Sequence, residues 1–162
     1  MRTAIRLGTF ETNSSSQHAI VVDMSGKIDA SLENCGYLTG YSAVLEGELK
    51  FATPSQRLTE LWSIVLSEYP NQRRQWEKLI REALAGYDIF LADDGRARIG
   101  SLGYNDWILD AMEKDPSLLR NYVLGADSVG YLSIVADEMA TNAADVLPHA
   151  VLFAYEKKME KR

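Results

Sequence analysis

The chain of 162 residues has little of what metal sites, disulfides and membrane spans require. Cys35 is its one cysteine, and His18 and His149 are its two histidines. A single cysteine excludes an intramolecular disulfide and a cysteine-based metal site, and the spacing of the histidines gives no sign that they meet with a carboxylate. The sequence has no apolar run of membrane-spanning length, and no charged start followed by an apolar core as in a secretory signal. We therefore expect a cytoplasmic protein with no metal and no membrane contact.

Familiar catalytic signatures are equally scarce. The sequence has no Walker phosphate loop, no dinucleotide-binding glycine fingerprint and no Gly-x-Ser-x-Gly nucleophile elbow. Ser16 and His18 stand two residues apart, and one strand repeat is long for direct proton transfer between their side chains. The sequence therefore does not favour a serine hydrolase, and it names no cofactor.

The charge balance bears on the choice of partners. Charged residues make up 25% of the chain and apolar residues 46%, with a formal net charge of -6. Such a composition is typical of a globular domain, and the acidic balance argues against direct nucleic-acid binding, which needs a basic surface. Arg74, Lys78 and Arg81 recur at helical spacing, but Glu77 stands four residues before Arg81 and favours a solvated helix face.

Apolar periodicity and turn residues divide the chain into strands and helices. Strands are predicted at residues 3–9, 18–24, 88–92, 96–100 and 122–124. Residues 41–51 fit either a pair of strands or one strand bent around Gly47, and residues 129–135 are strand-like but ambiguous. Helices are predicted after the capping residues Thr53 and Asn71, and over residues 105–112, 116–119 and 138–146. Residues 149–155 fit either a last strand or the start of a final helix. The pattern predicts one α+β domain over residues 1–155, with a mainly antiparallel sheet and helices packed on one face, and a charged, frayed tail over residues 156–162.

A dense polar segment separates the first two apolar strands. Residues 6–18 read Arg-Leu-Gly-Thr-Phe-Glu-Thr-Asn-Ser-Ser-Ser-Gln-His. Small polar residues let backbone N–H groups converge on an anion, and a nearby arginine supplies fixed positive charge, so the segment suits a nucleotide or another phosphorylated ligand. The residues predicted to bind it are Arg6, Thr12, Asn13, Ser14, Ser15 and Ser16. Glu11 and His18 are the predicted acid and base of any catalytic step.

The same segment also has a purely structural interpretation. Asn and Ser side chains readily bond to nearby backbone groups in irregular turns, so the segment can satisfy itself and leave Arg6 at the surface. His18 has the same strand parity as Ile20 and Val22, which fits a partly buried core histidine held by one hydrogen bond. The sequence leaves both interpretations open.

The pattern Arg-x-Gly-x-Phe-Glu-Thr-Asn-Ser-Ser-Ser-x-His resembles the opening of a group of uncharacterised proteins from bacteria, phages and mobile elements. The matching residues are Arg6, Gly8, Phe10 to Ser16, and His18. A weaker likeness runs through residues 46–48 and 53–58, with Leu49 and Lys50 where the group often carries an aromatic residue. The resemblance covers the first third of the chain. It implies a phage or mobile-element setting and a role for the polar segment beyond that of a turn, and it implies no particular activity.

Three hypotheses about function follow. In the first, the polar segment binds a phosphate-bearing small molecule or nucleotide, with or without catalysis. In the second, the protein is a non-enzymatic module that binds a host protein, as an inhibitor or anti-defence protein would. Small size and the lack of a complete catalytic set favour this alternative. A structural or assembly component is the third.

Overall fold

The computed structural model describes residues 3–7, 15–32, 49–91, 106–133 and 135–158, which form five strands and five α-helices. The strands are β1 (Thr3–Leu7), β2 (Ser15–Asp23), β3 (Leu49–Phe51), β4 (Val129–Ser133) and β5 (Ala150–Lys158). The helices are α1 (Pro54–Glu68), α2 (Arg73–Ala83), α3 (Asp106–Lys114), α4 (Pro116–Leu124) and α5 (Ala136–Asp145). A short 3-10 turn, Pro70–Gln72, joins α1 to α2.

The strands form one sheet in the order β1-β5-β2-β4-β3. β1 runs parallel to β5, and the other neighbouring strands run antiparallel to each other. The predicted α+β class with a mainly antiparallel sheet is therefore confirmed. The order also shows that β1 and β2 are not neighbours, because β5 lies between them.

Helices cover both faces of this sheet. Ile20 and Val22 of β2 pack in one core cluster with apolar residues of α1, α2, α3 and α4, and we call this side the four-helix face. Ala19 and Val21 pack in a second cluster with α5, which defines the α5 face. Four helices thus share a face as predicted, and α5 departs from the prediction. Residues 19–22 of β2 are all fully buried. Because a strand that is apolar on both faces must be covered on both, helices pack on each side of the sheet.

The start of α1 follows the capping residues predicted for it. The Thr53 side chain accepts a hydrogen bond from the Gln56 backbone at 3.2 Å, and the Gln56 side chain accepts one from the Thr53 backbone at 3.2 Å. This reciprocal capping box, with Pro54 at the first helical position, satisfies donors that a helix start otherwise leaves unpaired. The next helix begins later than predicted, because the 3-10 turn carries the chain past Asn71 to Arg73.

Several predicted boundaries change. Residues 122–124 are the last turn of α4 rather than a strand, because Asp115 caps that helix and Leu119, Tyr122 and Val123 then fall at helical spacing on the core. Residues 88–91 are not a strand, and the rest of the predicted hairpin lies outside the described residues, as do residues 33–48. Residues 150–158 are a strand, so the first three residues of the predicted tail belong to β5. The predicted domain limits otherwise stay a prediction.

One buried arginine joins four segments of the fold. The Arg57 guanidinium of α1 donates five hydrogen bonds to backbone carbonyl oxygens, at donor–acceptor distances from 2.7 to 3.2 Å. The acceptors belong to Ala52, Val123, Gly125 and Ser128, and Val123 accepts twice. The connection before α1, the end of α4 and the start of β4 therefore converge on one side chain.

The position of Arg57 at the end of α4 explains how its charge is tolerated. The last carbonyl groups of a helix have no partner within the helix, and a cation is favourable beside them. Burial lowers the pKa of Arg57, whereas the nearby Tyr122, Asp29 and Glu60 act in the opposite direction. Arginine stays protonated in proteins, and here the carbonyls satisfy the donors of the buried fork.

We expect Arg57→Lys to lower the free energy of unfolding by about 3 kcal/mol. Lysine keeps the charge but lacks the planar fork, and each buried acceptor left unsatisfied costs about 1–3 kcal/mol. Urea denaturation monitored by circular dichroism would measure the difference. The control is Arg81→Lys, at a half-exposed surface pair, which should cost less than about 1 kcal/mol. Equal costs for the two substitutions would contradict the role assigned to Arg57.

Candidate functional site

The described residues include four of the eight predicted site residues. Glu11, Thr12, Asn13 and Ser14 lie outside them. Arg6 lies on β1, and Ser15, Ser16 and His18 lie on β2. His18, the predicted base, is the one of these four whose side-chain contacts the structure describes, and those contacts lie in the interior of the protein.

His18 belongs to a buried network of three titratable side chains. Its Nε2 lies 2.9 Å from Oε2 of Glu60, which projects from α1. The Tyr122 hydroxyl of α4 donates a hydrogen bond to the other oxygen of the same carboxyl group, Oε1. His18 is 2% exposed, and Glu60 and Tyr122 are fully buried. The carboxyl group of Glu60 thus ties one strand to two helices.

A glycine in β4 makes room for this network. Gly130 shares a row of the sheet with Ile20 and Phe51, whose side chains pack on the four-helix face. A Cβ atom at Gly130 would lie 2.3 Å from the Tyr122 hydroxyl and 2.8 Å from Oε2 of Glu60. The polar ends of both side chains therefore occupy the gap that the missing side chain leaves in an otherwise apolar surface.

The electrostatics of the network follow from its burial. Burial raises the pKa of Tyr122 well above its usual value, and the neighbouring Glu60 carboxyl raises it further, so the phenol stays protonated and donates. A buried carboxylate is costly unless it is paired and hydrogen-bonded. Two hydrogen bonds and the charge of Arg57, one helical turn away on α1, meet that requirement for Glu60.

This arrangement suits a positioning role. The network joins β2 to α1 and α4, and it is closed to solvent. The structural interpretation of His18, a core histidine held by a hydrogen bond, matches the geometry. A catalytic role for Glu11 and His18 stays a prediction.

The strand register separates the remaining predicted residues by face. Ser16 pairs with Lys157 and lies two positions from His18, in the set of rows that belongs to the four-helix face. Ser15 pairs with Lys158, and Arg6 pairs with Ala154, in rows that belong to the α5 face. Because successive positions of a strand alternate between faces, the four predicted residues that the structure describes do not belong to one face of the sheet.

Three polar residues of the buried interior escaped the sequence prediction: Arg57, Glu60 and Tyr122. One signal for the first two was present, since a cation and an anion stand three residues apart beside the apolar stripe of the helix predicted after Thr53. Lys157 and Lys158 were assigned to a frayed tail, whereas their backbone belongs to β5 and pairs with the start of β2.

Other surfaces of the described residues offer less. A shallow cavity of about 530 Å³ lies along α2, beside Glu77, Lys78, Arg81 and Glu82. Arg81 Nη2 is 3.3 Å from Glu77 Oε1, as the sequence spacing predicted, and Lys78 Nζ is 4.0 Å from Glu82 Oε1. These exposed pairs indicate a solvated charged face. No group of three His, Cys, Asp or Glu side chains that could hold a metal ion occurs in the described parts of the chain.

No protein-family model matches the chain, and no curated protein or solved structure matches it either. The resemblance carried by residues 6–18 therefore stays a prediction, and a functional proposal depends on the chemistry of the site itself. Across the residues that the structure describes, none of the helices combines the length and the apolar character needed to cross a membrane. The predicted cytoplasmic location is a separate matter and stays a prediction.

We expect Gly130→Ala to destabilise the protein by about 1–3 kcal/mol, because the added methyl group overlaps the Tyr122 hydroxyl and the Glu60 carboxyl group. Tyr122→Phe alone should cost about 1–3 kcal/mol, since a buried carboxyl loses its donor. Because Tyr122→Phe also removes the atom that the methyl group would strike, the double variant should cost less than the sum by about 0.5 kcal/mol or more. Urea denaturation of all three variants tests this, and strict additivity would contradict the proposed overlap.

The raised pKa of Tyr122 predicts a loss of stability in alkaline solution. The phenol of the unfolded chain ionises near pH 10, whereas Tyr122 in the folded protein keeps its proton to a higher pH. Its stabilising contribution is therefore complete below about pH 10 and is lost as the pH rises toward the folded pKa. Tyr122→Phe should flatten this decline in the free energy of unfolding. Tyr131→Phe, at a phenol whose pKa burial raises less, should flatten it less, and the reverse order would refute the assignment.

Proposed function

We propose that the protein binds a phosphate-bearing small molecule, such as a nucleotide or sugar phosphate, at the sheet end where residues 8–14 leave β1 and enter β2. The ligand would be held by the small polar residues of this segment, of which Ser15 and Ser16 lie on the described strand. The acidic balance of the whole chain makes a small, locally bound anion a better partner than nucleic acid.

One observation of the fold carries this proposal. β1 ends at Leu7, in the row of Tyr155, and β2 begins at Ser15, in the row of Lys158. Both ends of the polar segment therefore lie at the same end of the sheet, on either side of β5. The last residues of β5 bring two lysines to that end. Hydroxyl groups, backbone donors and fixed positive charge are the groups that phosphate recognition requires.

His18 supports the site from behind in this proposal. Its bond to Glu60 holds β2 against α1 and α4, so the strand that carries Ser15 and Ser16 is anchored to the core. Turnover would need an acid or base open to the ligand, and Glu11 is the predicted residue that could supply one. Binding without turnover needs neither, so binding is the function that the geometry favours.

We expect phosphate-bearing ligands to stabilise the wild-type protein against heat. A ligand at about 100 times its Kd stabilises the folded state by about 2.7 kcal/mol, which raises the Tm of a chain of this size by roughly 5–10 °C. Thermal denaturation with 5′-AMP, ATP, glucose 6-phosphate and inorganic phosphate tests this expectation. The double variant Ser14→Ala/Ser15→Ala should lose the shift, and Ser31→Ala, at an exposed serine after β2, should keep it. If none of these compounds raises the wild-type Tm, the proposal fails.

The alternative proposal is that the protein binds a host protein in a phage or mobile-element setting. Large exposed apolar side chains in the described residues include Ile28, Phe90 and Val146, which come from three separate segments. Apolar residues exposed singly are ordinary on soluble proteins and do not mark an interface. This alternative therefore has no surface assigned to it and ranks second.

A further inference from the structure

We draw no further inference here: the strongest candidate, the buried side-chain cluster of His18, Glu60 and Tyr122 between β2, α1 and α4, belongs to the site already described.

Discussion

The fold depends on a buried guanidinium that binds backbone rather than an acid. Arg57 satisfies its donors with carbonyl groups from the connection before α1, the end of α4 and the approach to β4. Helix ends and irregular connections are the places where buried carbonyl groups most often lack a hydrogen-bond donor, and here one side chain donates to several of them. Glu60 lies one turn further along α1 and balances the charge while holding β2. Arg57 and Glu60, around which the buried polar groups are arranged, therefore both come from α1.

The two faces of the sheet are packed with different kinds of side chain. On the four-helix face, large apolar side chains surround the polar network, and Gly130 provides the space that its carboxyl and hydroxyl groups need. On the α5 face, the packing is dominated by alanines, which allow a helix to lie close to the strands: Ala19, Ala136, Ala140, Ala144, Ala150 and Ala154. Ser15 and Ser16, the first two residues of β2, lie in rows that belong to different faces. The chemistry available to a ligand therefore depends on the side from which it approaches.

Local signals in the sequence predicted much of the fold, whereas distant contacts could not be read from it. Thr53 and Gln56 revealed the start of α1 because a capping box is complete within four residues. The parity of His18 with Ile20 indicated an inward position, but its partner Glu60 is 42 residues away. Tyr122 belongs to a short apolar run that fits a strand or a helix equally well, and only the cap at Asp115 and the packing of α4 decide the matter. The pairing of β5 with both β1 and β2 leaves no mark in any local pattern.

The placement of β5 has a consequence for the order in which the protein can assemble. Thr3 is paired with Val151, so the contact closes a loop of nearly the whole chain. During synthesis β1 emerges before the other described strands, and its hydrogen-bonded neighbour β5 emerges after them. Pairings of such long range are entropically expensive and slow to form. Among the described strands, β1 and β5 are accordingly joined late, and the sheet is complete only after the segment that carries β5 has been made.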